Sequence, residues 1–191
     1  MHSRRLVSRK AAFIDRDGVL NEERAFVHRT EDFVLLPGAV EALRLLQGAG
    51  YLLVVITNQS GIARGLYSEA DYLALTEHMR GQLQAEGISL DAVEHCPHLP
   101  DAPVERYRRD CDCRKPKPGM IERAMERLDI DPAASFLVGD RLSDVQAGRA
   151  AGVGRCFLVR TGYHPSEEAL ARADGVYDDL LSCIRAVLPG S

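Results

Sequence analysis

The sequence contains no tryptophan, and aromatic residues make up only 6% of it. It has no strip of alternating aromatic and basic residues of the kind on which single-stranded nucleic acid stacks. Neither sign of charge prevails. The 24 basic and 28 acidic residues give a formal net charge of −4, which argues against a general grip on DNA or RNA. No apolar run approaches the roughly 20 residues needed to span a bilayer. The start is basic but lacks the apolar stretch of a signal peptide, so a cytoplasmic protein with a loose tail at 1–10 is expected. Five cysteines are an odd number, and three of them cluster between 96 and 113. That pattern opposes a disulfide framework and favours reduced thiols or a metal. No internal repeat or low-complexity tract is present. With 191 residues, 46% of them hydrophobic and 27% charged, one domain over 1–191 with a substantial core is expected.

Apolar runs alternate with helical periods along the chain. A first strand is predicted at 11–15, and the stretch from Val19 to Pro37 has no helical period. In that stretch Phe26-Val27 and Phe33 to Leu36 suggest a small flap or hairpin. Val40, Leu43 and Leu46 recur at helix spacing before Gly48. The continuous apolar run 51–56 suits a strand buried on both faces. Ser68 is a good N-cap for a helix to about Ala85, with Tyr72, Leu75, Met79 and Leu83 on one face. A short strand at 92–95 leads into an irregular Pro-, Cys- and Arg-rich stretch, and Pro118 opens the next helix. A strand at 135–139, a helix through Ala151, a strand at 155–159 and a helix at 178–188 follow. This alternation implies an α/β fold with a doubly wound parallel sheet and helices on both faces.

Ligands of such sheets sit beyond the carboxyl ends of the strands. Three predicted strands end in Asp15, Thr57 and Asp140. In Asp15-Arg16-Asp17-Gly18, side chains of extended backbone alternate, so the two carboxylates face one way and Arg16 the other. A carboxylate pair suits a hard cation and acid/base work, although Asp and Gly are also ordinary turn formers. Asp140 and Asp144 equally fit the cap and first turn of a helix. The run Arg114-Lys115-Pro116-Lys117 reads either as a solvated loop or as an anion site before a helix.

Together these parts resemble, in order, the four motifs of the haloacid dehalogenase-like phosphatase superfamily. Asp15-Arg16-Asp17-Gly18 is similar to the first, Thr57 to the second, Lys115 to the third, and Gly139-Asp140 with Asp144 to the fourth. The resemblance covers about residues 11–160. Within the superfamily the chain is similar to the histidinol-phosphate and heptose-bisphosphate phosphatases, through Thr57 to Gly65, Cys96-Pro97-His98 and Cys111 to Pro116. The resemblance implies that Asp15 attacks phosphorus and Asp17 serves as acid and then base. It further implies Mg2+ on Asp15, Asp140 and the Asp17 carbonyl, with Thr57 and Lys115 holding the transferring oxygens. Substrate contacts are implied for Asn58, Gln59, Ser60, Arg114 and Arg141. They are also implied for a loop of Glu23, Arg24, Ala25 and Phe26.

The same resemblance makes Cys96, His98, Cys111 and Cys113 a closed, structural Zn2+ set in a loop at 96–117, with His95 as a rival ligand. Cys156 and Cys183 read as buried core thiols. No large insertion leaves room for a helical cap domain, so an open site is expected. Twelve residues, Leu99 to Asp110, separate the ligand pairs and include Arg106, Arg108 and Arg109. Such arginines suit the second anion of a sugar bisphosphate and would repel the amine of histidinol phosphate. With that preference, the resemblance implies removal of the 7-phosphate of a heptose 1,7-bisphosphate, on the ADP-heptose route to lipopolysaccharide; a monomer that binds neither nucleic acid nor membrane is expected. The rivals are a histidinol-phosphate phosphatase, a polynucleotide 3′-phosphatase and a zinc-loop nucleic-acid-binding module.

Overall fold

The strand Ala11–Ile14 (β1) is buried at every position, because its two faces pack against different helix layers. The computed structural model describes residues 9–188, so most of the tail expected at 1–10 lies outside the described residues. Its last two residues are not loose. Arg9 exchanges backbone hydrogen bonds with Asp129 and Asp131, and the Lys10 carbonyl accepts from the Leu52 N–H.

The chain continues through a helix at Ala39–Gly48 (α1) and a strand at Leu52–Asn58 (β2). A single turn at Ser60–Ala63 (α2), the helix Glu69–Ala85 (α3) and the strand Ala92–Cys96 (β3) come next. After a long loop follow Gly119–Leu128 (α4), Phe136–Gly139 (β4), Leu142–Ala150 (α5) and Arg155–Val159 (β5). Glu167–Arg172 (α6), Gly175–Tyr177 (β6) and Leu180–Val187 (α7) close it. The six strands form one parallel sheet in the order β3-β2-β1-β4-β5-β6. The chain runs outward from β1 through β3, then returns to the other side of β1 with β4. That reversal opens a crevice beyond the carboxyl ends of β1 and β4, where doubly wound sheets bind ligands.

Strand periodicity assigns the core. Ala12, Ile14, Val55, Val138 and Val159 join α1, α3 and α7 on one face. Phe13, Val54, Ile56, Leu137 and Leu158 join α4, α5 and α6 on the other. Burying each larger side chain stabilises by about 1.5–3 kcal/mol, and this sandwich holds the strand ends in place. In α3, Ser68 and Asp71 form a reciprocal capping box, a feature worth about 1 kcal/mol.

Several local expectations are corrected. β2 runs on to Asn58 because Thr57 and Asn58 pair with His95 and Cys96 of β3. In the flap, it is Leu20 and Glu22 that pair with Val34 and Leu36. Phe26-Val27 takes no part in that ladder: Ala25 and Phe26 have φ of 48° and 63°, a left-handed backbone that no strand contains. β6 and α6 have no counterpart in the sequence reading. β6 is three residues of a sheet edge with no fully buried side chain, and α6 is too short to show a period.

Candidate active site

The turn after β1 brings the first two carboxylates together. Asp15 and Asp17 both line a cavity of about 500 Å³ at the carboxyl edge of the sheet. Arg16 does not point away, as alternation predicts. Its fully buried guanidinium donates to both Asp17 oxygens at 2.9 Å and to the Val27 carbonyl at 3.0 Å. Asn21 adds a further donor to Asp17 at 3.0 Å. Gly18 has φ +82°, and a Cβ there would sit 2.7 Å from an Asp140 carboxylate oxygen. Only glycine suits both the turn and the contact.

At the cavity floor Lys115 is buried with its Nζ 2.9 Å from Asp15 and 2.6 Å from Asp144. It also donates to the Ile56 carbonyl at 3.1 Å. Burial works against its charge, but Asp144 and Asp15 outweigh burial and hold the ammonium well above the ordinary lysine value. Asp144 thus serves as both the lysine's counter-ion and the first-turn acceptor of α5, taking the Asp140 and Arg141 N–H groups at 3.2 and 3.0 Å. Asp15 is raised above the carboxylate range, by burial first and then by Asp144 and Asp140, against the pull of Lys115. Burial and the Asp144 charge push Asp140 up to about 6.

The ligand oxygens of Asp15, Asp140 and Asp144 lie within 4.8 Å of one another, facing one ammonium, with the Arg141 guanidinium 4.0 Å from Asp140 Oδ1. Asp140 Oδ2 accepts from the Tyr163 N–H at 2.8 Å, while its buried Oδ1 has no hydrogen-bond partner. An orphaned buried carboxylate oxygen amid excess negative charge is what a divalent, oxygen-seeking cation satisfies. Magnesium therefore fits at Asp15 and Asp140, while both Asp144 oxygens are engaged by Lys115 and the Asp140 and Arg141 N–H groups.

Thr57, Asn58, Gln59 and Ser60 line the cavity from the end of β2. The Asn58 amide exchanges two hydrogen bonds of 3.1 Å with the Lys115 backbone and so ties the lysine loop to the sheet. Arg114 and Arg141 also line the cavity, as do Glu23, Ala25 and Phe26 of the flap. Arg24 does not. It points outward and forks onto Glu22.

The sulfur cluster forms beside this floor. Cys96 Sγ lies 3.5 Å from Cys111 Sγ and 3.8 Å from His98 Nδ1. Cys113 Sγ lies 3.3 Å from Cys111 Sγ and 3.4 Å from His98 Nδ1. A tetrahedron with Zn–S bonds near 2.3 Å has S···S edges of about 3.8 Å, so the four atoms are close to a zinc cage. Hydrogen bonding with Cys96 lowers the Cys113 thiol from its ordinary value, the direction that favours the anionic form a metal takes. His95 is not part of it; that ring pairs with Glu69 and packs on Tyr72. Cys156 and Cys183 are buried and apart from the cluster.

The HAD-hydrolase-like family profile matches residues 112–183. The D-glycero-beta-D-manno-heptose-1,7-bisphosphate 7-phosphatase of Photorhabdus laumondii is 45% identical over 177 residues, covering 93% of this chain and 94% of that protein. The corresponding alpha-anomer enzyme of the same organism is 48% identical over 164 residues, 86% and 89% of the two chains. The chain belongs to the heptose-bisphosphate phosphatase family of haloacid dehalogenase-like hydrolases. In structure it is similar to the D,D-heptose 1,7-bisphosphate phosphatase of B. bronchiseptica, solved with magnesium and phosphate. That comparison gives a TM-score of 0.82 at 37% identity, covering 95% of this chain and 99% of that one.

In this phosphatase the loop arginines sit differently from expectation. Arg108 donates to the Ala102 carbonyl at 2.6 Å, Arg109 reaches His98 Nε2, and Arg106 lies over the Tyr107 ring. None of the three lines the cavity, because each is engaged in folding its own loop. The arginines that line it are Arg64, Arg114 and Arg141. Arg64 carries no signal in the sequence beyond its place in the Thr57–Gly65 run. Two aromatic rings hold the outer pair, with Arg64 over Phe26 at 5.9 Å and Arg141 over Tyr163 at 3.4 Å. Tyr163 and Tyr67 also line the enzyme's cavity, and neither carried any signal in the sequence.

Proposed function

We propose that the enzyme removes the 7-phosphate of D-glycero-D-manno-heptose 1,7-bisphosphate and leaves heptose 1-phosphate, as a step toward ADP-heptose and the lipopolysaccharide core. The carrying observation is the charge layout of one cavity. A carboxylate-and-lysine floor suits a phosphoryl group in transfer, and three arginines in the wall suit a second anion. Such anions bind guanidinium groups through charge-assisted, often bidentate hydrogen bonds. The relatives named for this activity match over nearly the whole chain, which supports the same substrate. We read the chain as one domain acting as a cytoplasmic monomer on this small molecule, without nucleic acid or membrane.

The residues divide the chemistry as follows. Asp15 attacks the 7-phosphorus in line, so that an Asp15 O–P bond forms as the P–O7 bond breaks. Asp17 gives its proton to O7 as the sugar leaves. It then takes one from the water that attacks phosphorus, and the Asp15 O–P bond breaks. Lys115, kept charged by its two carboxylates, and the Thr57 hydroxyl hold the transferring oxygens. Asp15, Asp140 and the Asp17 carbonyl would hold magnesium, which when bound supplies charge that offsets repulsion between carboxylate and phosphate. Cys96, His98, Cys111 and Cys113 would hold a structural zinc with no position left for water. Because Cys113 directly precedes Arg114 and Lys115, that cage fixes a wall residue and a floor residue at once.

The experiment is a comparison of specificity constants for both anomers of the bisphosphate and for histidinol phosphate. The better anomer should exceed histidinol phosphate by at least about 100-fold, because the amine meets a wall of arginines while a phosphate pairs with it. Equal or better turnover of histidinol phosphate would overturn the assignment.

A further inference from the structure

We propose that Gln59 is a positioning residue whose side-chain amide, anchored by Thr57 and Tyr67, holds the Asp17 carboxyl toward the oxygen that leaves. The family resemblance implies a substrate contact at Gln59, but its carboxamide is already committed on all sides. Its Nε2 donates to Asp17 Oδ2 at 3.1 Å and to Thr57 Oγ1 at 2.8 Å, and its Oε1 accepts from the Tyr67 hydroxyl at 2.5 Å. Two amide hydrogens and one carbonyl oxygen are thereby used.

These partners allow one orientation of the amide. A flipped amide would leave the Tyr67 hydroxyl without its acceptor and withdraw the donor from Asp17. Burial raises the Tyr67 hydroxyl well above its ordinary value, so it keeps the proton it donates. Its ring has little freedom. A Cβ on Gly61 would lie 2.1 Å from the ring, and His28 of the flap stacks on it at 4.8 Å between centroids.

The other side-chain donors to Asp17, Arg16 and Asn21, belong to the same turn as Asp17 itself. Among the described residues, Gln59 is the side-chain donor that reaches Asp17 from beyond the end of β2, and it does so while bonded to Thr57. The amide therefore sets the acid's position relative to the group that holds the phosphoryl oxygens. Small displacements of a proton donor are costly when the leaving oxygen is strongly basic. The inference rests on the reading of Asp17 as the proton donor.

The test compares kcat/KM, which reports formation of the phospho-enzyme, for the heptose bisphosphate and for p-nitrophenyl phosphate. The sugar alkoxide needs a proton to leave, whereas nitrophenolate does not. Gln59→Met keeps the side-chain length and loses both donors. It is expected to reduce kcat/KM about 30- to 100-fold for the bisphosphate and less than about fivefold for the aryl ester. Gln59→Glu, which still accepts from Tyr67 but cannot donate to Asp17, should show the same selectivity and serves if the Met variant fails to fold. Equal losses on the two esters, or an unchanged bisphosphate value in folded protein, would overturn the role of Gln59. Asp17→Asn measured alongside should be still more selective against the bisphosphate. If it is not selective at all, the reading of Asp17 falls and this inference with it.

Discussion

Asp15→Asn protein is expected to fold like the parent and to turn over the bisphosphate at least about 10⁴-fold more slowly, since an amide oxygen cannot form the phospho-enzyme. The substitution is nearly isosteric, so packing around the buried end of β1 is retained. Lys115 keeps Asp144 at 2.6 Å as its counter-ion. The charge removed is one that its surroundings disfavour, because burial and the Asp144 and Asp140 carboxylates already raise the Asp15 pKa. The melting temperature should therefore stay level or rise. Loss of activity with retained stability separates a chemical role from a structural one. Single-turnover kinetics on protein with a parent-like melt is the check, and substantial residual turnover would place the nucleophile elsewhere.

Protein purified without chelator is expected to carry about one zinc per chain, held by Cys96, His98, Cys111 and Cys113. Magnesium, which keeps water ligands and is rarely caged by protein alone, should wash out and be needed for turnover. Cys111 is the half-buried member of the cage, so Cys111→Ser changes little volume and removes one thiolate. That variant should lose zinc and become sensitive to protease between 99 and 110. Structural zinc in small domains contributes roughly 10 kcal/mol or more of apparent binding free energy, and the loop is otherwise held by Ala102 and Tyr107 packed on Ile62 and Tyr72. Activity should then fall about 100-fold through Arg114 and Lys115, which are misplaced when the cage opens. Elemental analysis with limited proteolysis reads this directly. Zinc-free parent protein with an ordered loop would contradict it.

The strand ends Asp15, Thr57 and Asp140 were legible because a parallel sheet brings carboxyl ends together whatever the details of its loops. The cysteine-histidine set was legible from spacing together with resemblance, and its four ligand atoms do meet. Side-chain direction on loops was not legible. Arg106, Arg108 and Arg109 have the right charge in the right loop, yet local carbonyls and rings hold them away from the cavity. Arg64, seven residues beyond Thr57, turns in instead. Arg16 was assigned to the opposite face by strand alternation, but the strand has ended by then and the long side chain folds back onto Asp17. Asp144 both accepts the N–H groups that lead into α5 and pairs with Lys115; the second contact crosses 29 residues of chain and no local pattern encodes it.

The most direct measurement follows the reaction of the heptose bisphosphate by phosphorus NMR. The 7-phosphate sits on a CH₂ group and couples to two protons, whereas the anomeric phosphate couples to one. The two resonances are therefore distinguished by their splitting. With magnesium present, the account predicts that the 7-phosphate triplet alone disappears as one equivalent of inorganic phosphate grows, and that the anomeric doublet persists in the product. Loss of the anomeric resonance first, or of both together, would contradict it.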